Sequence, residues 1–477
     1  MRTIPLSTIV FGGLLGLLLA YIYPFGWYYS ILPPALLVFL YLTLYHTQTV
    51  FICLAFFTPL SINIEEYTNG FGLFIPTEPI LFGLMLFFLA YKLTTSAGFW
   101  HSYRHPLYII LFLYLSWLVI TSIPSSSPMV SFKALFSKLW FIVPCFLFSP
   151  IFLYNWRSIR QFFWFFTIGI TIVIIYTIIN HAGYNFGEKE SHWVMSPFYK
   201  DHTIYGAAIA LALPFPIMLF LSKHQSPLNA AVLGALFIII VAGLYFSYTR
   251  AAWLSVLGAG AILLLVYYKI NIRWVIATTI IGAFVFLKFG DAIQMELARN
   301  KVEHTTESFD DRLKSATNVT TDASNLERIN RWACALEMFK ERPVFGFGLG
   351  TYSFEYARFQ EPENLTIIST NFGDMGNAHS EYLSALSETG LLGLILFIGL
   401  ISTGFYYLID LVQSSRGLNR QVFVFSCGML FSLTTYFIHA FLNNFLDTDK
   451  AAIPVFTMFA LTLTLKQFLL LQPEGRI

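Results

Sequence analysis

The chain has 477 residues, of which 57% are hydrophobic and only 11% charged, with a formal net charge of +2. A charged fraction far below the roughly 25% of soluble domains excludes a water-soluble fold, and the near-neutral balance without a long basic run excludes nucleic-acid binding. Cys53, Cys145 and Cys427 lie in apolar stretches and Cys334 stands alone in a polar one, so neither a disulfide framework nor a zinc site is expected.

In chain order, the apolar residues fall into runs of about 15 to 22, the length a helix needs to cross a hydrocarbon core of about 30 Å. Only helices satisfy their own backbone at that length in lipid. The first run, near 8–22, is followed by Tyr23, Pro24 and Phe25 instead of a small-residue cleavage site, and is read as an uncleaved span. Further spans are expected near 27–45, 49–63, 76–92, 107–123, 139–154 and 161–179, then near 204–222, 229–247, 251–268, 274–289, 388–411, 421–440 and 451–471. The predicted fold class is all-α, a polytopic membrane protein of about 12–14 transmembrane helices. Its regions are transmembrane helices over 1–289, one large polar loop over 290–387, and C-terminal transmembrane helices over 388–477.

Orientation follows from basic residues in the short loops. With the N-terminus cytoplasmic, the cytoplasmic loops hold twice as many Lys and Arg as the outer ones, where only Lys133, Lys138, Lys189, Lys200, Arg250 and Lys450 fall. The large loop is then outside. Within it, Asp310, Asp311, Arg312 and Lys314 precede a Ser/Thr/Asn/Asp-rich stretch, and Leu326, Ile329, Trp332, Ala333, Leu336 and Phe339 recur at helical spacing. Residues 326–340 therefore read as an amphipathic helix that lies on the membrane or caps the bundle. Pro343 ends it, and Gly346, Gly348 and Gly350 suit a tight turn better than a nucleotide loop, which needs a preceding strand.

Five positions could carry chemistry. His379, just before the span near 388–411, is either an interfacial residue or a proton acceptor. Arg250, in the only polar break of an apolar run over 229–268, either snorkels to the interface or binds an anion such as a diphosphate. Arg328 and Arg331 share a helix side and offer either a solvated face or a second anion clamp. Asp447, with Asp449 beside it, lies on the side of His379, where turn chemistry alone could account for both. His202 and His439 are weaker candidates, read as packing or interfacial residues rather than catalytic ones.

Taken together, Arg328-Ile329-Asn330-Arg331-Trp332, Glu341-Arg342-Pro343-Val344-Phe345-Gly346-Phe347-Gly348, Asn377-Ala378-His379-Ser380-Glu381-Tyr382 and Glu388-Thr389-Gly390-Leu391-Leu392-Gly393 resemble the O-antigen ligase and polymerase superfamily. Tyr248-Thr249-Arg250-Ala251-Ala252-Trp253 is similar to its arginine at the outer end of a span. The resemblance implies an inverting, metal-independent glycosyltransferase without cofactor. Its donor would be a glycan on undecaprenyl diphosphate, and transfer would take place at the periplasmic face of a bacterial inner membrane. In the ligase branch the acceptor is a lipid A-core sugar; in the polymerase branch it is another lipid-linked repeat, and a protein hydroxyl is a third acceptor. The resemblance puts the histidine on His379, the diphosphate-binding arginines on Arg250 and Arg328, with Arg331 competing for the latter role, and a supporting acid on Asp447. A solute transporter is the reading from another class, but no internal repeat appears and polar residues gather at one face.

Overall fold

The structure is a computed structural model and describes residues 32–65, 72–94, 104–270, 323–360 and 376–471. The spans expected near 8–22 and 274–289 and the polar stretch up to residue 322 lie outside the described residues. The described elements are α1 (Leu32–Tyr45), α2 (Thr47–Leu60), a two-stranded hairpin β1 (Ile62–Asn63) and β2 (Phe74–Ile75), α3 (Thr77–Thr94), α4 (Pro106–Ser122), α5 (Pro128–Phe152), α6 (Trp156–Ala182), α7 (His202–Ala212), α8 (Phe215–Ser222), α9 (Pro227–Phe246) and α10 (Arg250–Tyr267). Then come α11 (Ala323–Glu341), the short α12 (Tyr352–Glu355), α13 (Glu381–Ser415), α14 (Arg420–His439) and α15 (Asp449–Leu471).

Among the described residues eight helices are long and apolar enough to cross a membrane, or up to nine when the α1–α2 pair, bent by 118°, is taken as one span. The protein is thus an all-α, multi-pass membrane protein. Helix starts follow local chemistry. Pro106, Pro128 and Pro227 open α4, α5 and α9, where the missing N–H has no intrahelical partner anyway. Asn155, Asp201, Ser226, Ser380 and Asn419 cap α6, α7, α9, α13 and α14 through their side-chain oxygens. Inside the spans, Thr58, Thr167, Thr171 and Thr434 bond the carbonyl four residues back, so their hydroxyls carry no unmet polarity into lipid.

The core runs through α7–α8, α14 and α15, which are mostly enclosed by protein, while α9 and α10 are mostly exposed. Packing of α2 on α6, α10 on α14, α4 on α13 and α13 on α14 surrounds that centre. Two polar ties define one end of the bundle: Arg416 donates to the Tyr267 carbonyl at 2.6 Å and Arg420 to the Leu221 carbonyl at 3.1 Å. By alternation the starts of α7, α10 and α13 and the end of α14 gather at the opposite end, where Thr249 Oγ1 donates to His202 O (2.7 Å) and the Glu381 amide to Ala440 O (3.0 Å).

Three expectations need correcting. The span expected from 139 begins at Pro128, so Lys133 and Lys138 sit in a helix; Lys138 is tolerated there because it meets Asp447. The span expected from 388 begins at Glu381, directly after the proposed histidine. Most informative is α11, whose enclosed face is not the apolar one: Leu336 is 44% exposed, while Glu327, Asn330, Arg331, Cys334, Ala335 and Met338 are buried. The polar members of that face are bonded internally, and Cys334, Ala335, Met338, Phe347, Tyr352, Tyr356 and Ala378 form a small core separate from the main one.

Lys450, an outer-loop cation by its sequence, is instead 1% exposed in the first turn of α15. Its Nζ donates to the carbonyls of Thr58 (2.9 Å), Pro59 (3.2 Å) and Ser61 (2.7 Å) and to Ser61 Oγ (2.6 Å), which closes the C-terminal end of α2. Ser61 and Thr77 hydroxyls in turn donate to buried Asp449. Lys450→Met leaves that carboxylate without its cation, so a loss of about 3–5 kcal/mol is expected. It is measurable as a lower melting temperature in detergent, and Lys450→Met with Asp449→Leu should recover part of it. A single variant as stable as the parent would remove the cation from the account.

Candidate functional site

The site is built at the head of α13. Ser380 caps the helix by accepting the Leu383 amide (3.4 Å), and the preceding His379 adopts φ +48°. Two bonds hold that backbone: the His379 amide donates to Asn377 Oδ1 (3.1 Å), and Trp332 Nε1 of α11 donates to the His379 carbonyl (3.3 Å). Burial lowers the His379 pKa to about 4, helped by the charges of Arg331 and Arg328 and opposed by a hydrogen bond with the Asn443 side chain and by Glu327. The imidazole is therefore neutral at physiological pH, the form that can take a proton.

Arg331 is 5% exposed and fixed in place. Its Nε donates to Glu327 Oε1 (2.7 Å), its Nη1 to Asn377 O (3.2 Å), and its guanidinium lies 4.8 Å over the Tyr356 ring. A side chain at Gly376 would collide with that guanidinium. Arg331 thus grips the turn that carries His379. Arg328, one turn earlier, is only partly buried; its Nε donates to Leu442 O (3.4 Å), and its charge lies within range of His379, His202 and His439.

Arg250 starts α10 after Tyr248, which has φ +52° and donates from its hydroxyl to Phe186 O (2.8 Å). Its Nη2 stands 3.7 Å from Glu188 Oε1, and its charge, like that of Arg328, reaches His202. The structure therefore brings Arg250 and Arg328 within range of His202, and Arg328 within range of His379 as well, at one end of the bundle. Asp447, with its side chain 63% exposed, pairs with Lys138 and belongs to a neighbouring group with Glu381 and Glu388. Asp449 is buried on Ser61 and Thr77 instead.

The glycine turn after α11 braces this head. The Phe347 and Gly348 amides donate to Ser387 O (3.0 Å) and Glu388 O (2.8 Å), and the Leu391 amide to Pro343 O (3.0 Å). Gly390, at φ +71°, breaks α13 where a side chain would strike the Val344 carbonyl, and Trp117 Nε1 fixes the break by donating to Thr389 O at 2.9 Å. Sequence reasoning missed Asn443, Glu327, Glu381 and Lys138 as neighbours of the site and ranked His202 and His439 only as weaker candidates. The available signal was the spacing of His439 and Asn443, four residues apart across a helix end.

A half-buried histidine and two arginines thus stand at one end of an all-α polytopic membrane protein. Residues 235–398, from α9 through Arg250, α11 and His379 to the shaft of α13, match the O-antigen ligase family, so this part of the chain is similar to that superfamily. No curated protein matches the chain.

Proposed function

We propose that the protein is an O-antigen ligase-type glycosyltransferase that moves a glycan from undecaprenyl diphosphate to a lipid A-core sugar. In this reading the reaction lies at the periplasmic face of a bacterial inner membrane, with the N-terminus cytoplasmic and the large loop periplasmic. The supporting observation is the position of Arg328, whose charge reaches both His379 and the His202 group that Arg250 also faces. A cation for the leaving group thus lies beside a base for the incoming one.

The acceptor hydroxyl oxygen bonds to the anomeric carbon as the bond from that carbon to the diphosphate oxygen breaks, and the hydroxyl proton passes to His379. The electron pair leaves with the lipid diphosphate, whose charge Arg250 and Arg328 stabilise in a partly dehydrated cavity. Attack opposite the leaving group inverts the anomeric centre. Two fixed guanidinium groups supply the positive charge that a metal provides elsewhere, so the proposed reaction is metal-independent. Arg331, the competitor for the diphosphate role, holds the His379 turn in this reading, and Asp447 supports the acceptor side through Lys138.

The test is transfer by purified protein supplied with lipid-linked glycan and a lipid A-core acceptor. Arg328→Gln should lower turnover about 100-fold or more, the scale of losing one preorganised donor to a developing anion. Unchanged turnover would remove Arg328, and no product from the wild-type protein with a core acceptor would overturn the ligase assignment. Product with a second lipid-linked repeat or a protein hydroxyl instead would assign the polymerase or protein-glycosylating branch.

A further inference from the structure

Towards the end of the bundle opposite His379, an apolar groove of about 330 Å³ lies between α8, α9, α10 and α14. Val424, Cys427 and Phe431 of α14 line it together with Leu221 of α8, Phe237 of α9 and Leu263 of α10. A side chain at Gly428 would strike Met218 Sδ, so the bare backbone there lets α8 lie close on α14 and form the floor. Leu221 is 39% exposed, and α9 and α10 are mostly exposed, so the groove opens sideways towards lipid. Its volume falls within the about 300–1,000 Å³ of small-molecule sites.

The mouth of this apolar groove is basic. Arg420, Val424, Cys427 and Phe431 follow one another at helical spacing, which puts the guanidinium on the groove's face of α14. Its Nε donates to the carbonyl of Leu221, itself a lining residue, at 3.1 Å, and this holds the charge at the rim. Arg416, whose guanidinium lies 4.0 Å over the Tyr267 ring, and exposed Lys223 and Lys269 stand at the same end, whereas Asp410 is paired with Lys466 at 2.7 Å. An apolar slot with cations at its mouth complements an amphiphile that carries an anion at one end.

Length narrows the choice of amphiphile. From Arg420 to Phe431, α14 rises roughly 16 Å at about 1.5 Å per residue, about half of a hydrocarbon core of about 30 Å. That is the depth of one leaflet. We propose that the groove is a binding site for an anionic membrane phospholipid, with one acyl chain lying along α14 between α8 and α10 and the phosphate against Arg420. The site is independent of the transferase reading.

Full-length protein in detergent, titrated with phosphatidylglycerol or with phosphatidylcholine of the same chains and weighed by native mass spectrometry, tests the headgroup. One phosphatidylglycerol should be retained where phosphatidylcholine is lost, and Arg420→Gln should weaken that binding about tenfold or more, the scale of one charge-assisted contact. Equal retention of the two lipids, or parental affinity in Arg420→Gln, would overturn the proposal. In bilayers, phosphatidylglycerol with a photoreactive diazirine midway along one chain should label Cys427 or Phe431, and excess unlabelled phosphatidylglycerol, but not phosphatidylcholine, should suppress the label. Val424→Trp, which fills the groove, should abolish it, and Cys427→Phe provides a second filling variant if the first does not fold. Label spread over α9 and α10 without competition would mean ordinary surrounding lipid; no label in the parent would mean that another part of the chain or an uncharged molecule occupies the groove. Either result would overturn the site.

Discussion

His379→Ala is expected to lower glycan transfer about 100- to 10,000-fold, the usual contribution of a positioned general base, while the protein remains folded in the membrane. The pH dependence carries the same information with a sign. A histidine in water titrates near 6.5, but His379 is held at about 4 by burial and by Arg331 and Arg328. The lowered value keeps the proton-accepting form populated as the medium becomes acidic. The His379 limb of kcat/KM in the wild-type enzyme should therefore stay flat through pH 6 and fall only as pH approaches 4. Arg331→Gln removes the larger of the two charge contributions, so its acid limb should lie at higher pH. A wild-type limb at 6.5, or a His379→Ala enzyme with parental rates, would take His379 out of the proton transfer.

Glu381→Ala should have the largest effect on folding. The buried carboxylate Oε1 accepts the Phe445 amide (2.7 Å), the Leu446 amide (2.8 Å) and the Tyr436 hydroxyl (2.8 Å), tying the turn before α15 to the head of α13. Truncation strands three buried donors, each costing about 1–3 kcal/mol, so the loss is expected to be at least about 3 kcal/mol. Glu381→Gln keeps an accepting oxygen and should retain most of the stability. Thermal unfolding in detergent separates them: an alanine variant that melts with the parent would show that water or a neighbour replaces the carboxylate.

The sequence made the helical spans legible because lipid imposes a length and a composition on each of them. It also located α11, and it singled out His379 and Arg328 as candidates because their neighbours in sequence carry the motif pattern. It misjudged the enclosed face of α11, because periodicity assumes that polar side chains seek water. Here they find partners elsewhere in the chain: Tyr352 donates to Arg331 O (2.7 Å), Arg331 to Asn377 O and Asn330 to Gln360 Oε1 (3.0 Å). His202 and His439 look like packing residues from their apolar flanks for the same reason. Lys450 is the extreme case, since its partners at Thr58, Pro59 and Ser61 lie almost the whole chain away, beyond any local pattern.

A left-handed backbone is a conformation in which glycine rests easily and a side chain costs about 1 kcal/mol or more. At position 379 the most comfortable residue would thus be one with no reactivity at all, and the fold tolerates the imidazole only because Asn377 and Trp332 pin the peptide groups on either side. In the proposed transferase, durability and reactivity pull in opposite directions at this single turn: His379→Gly would leave a chain more at ease with its own shape and without the proposed base.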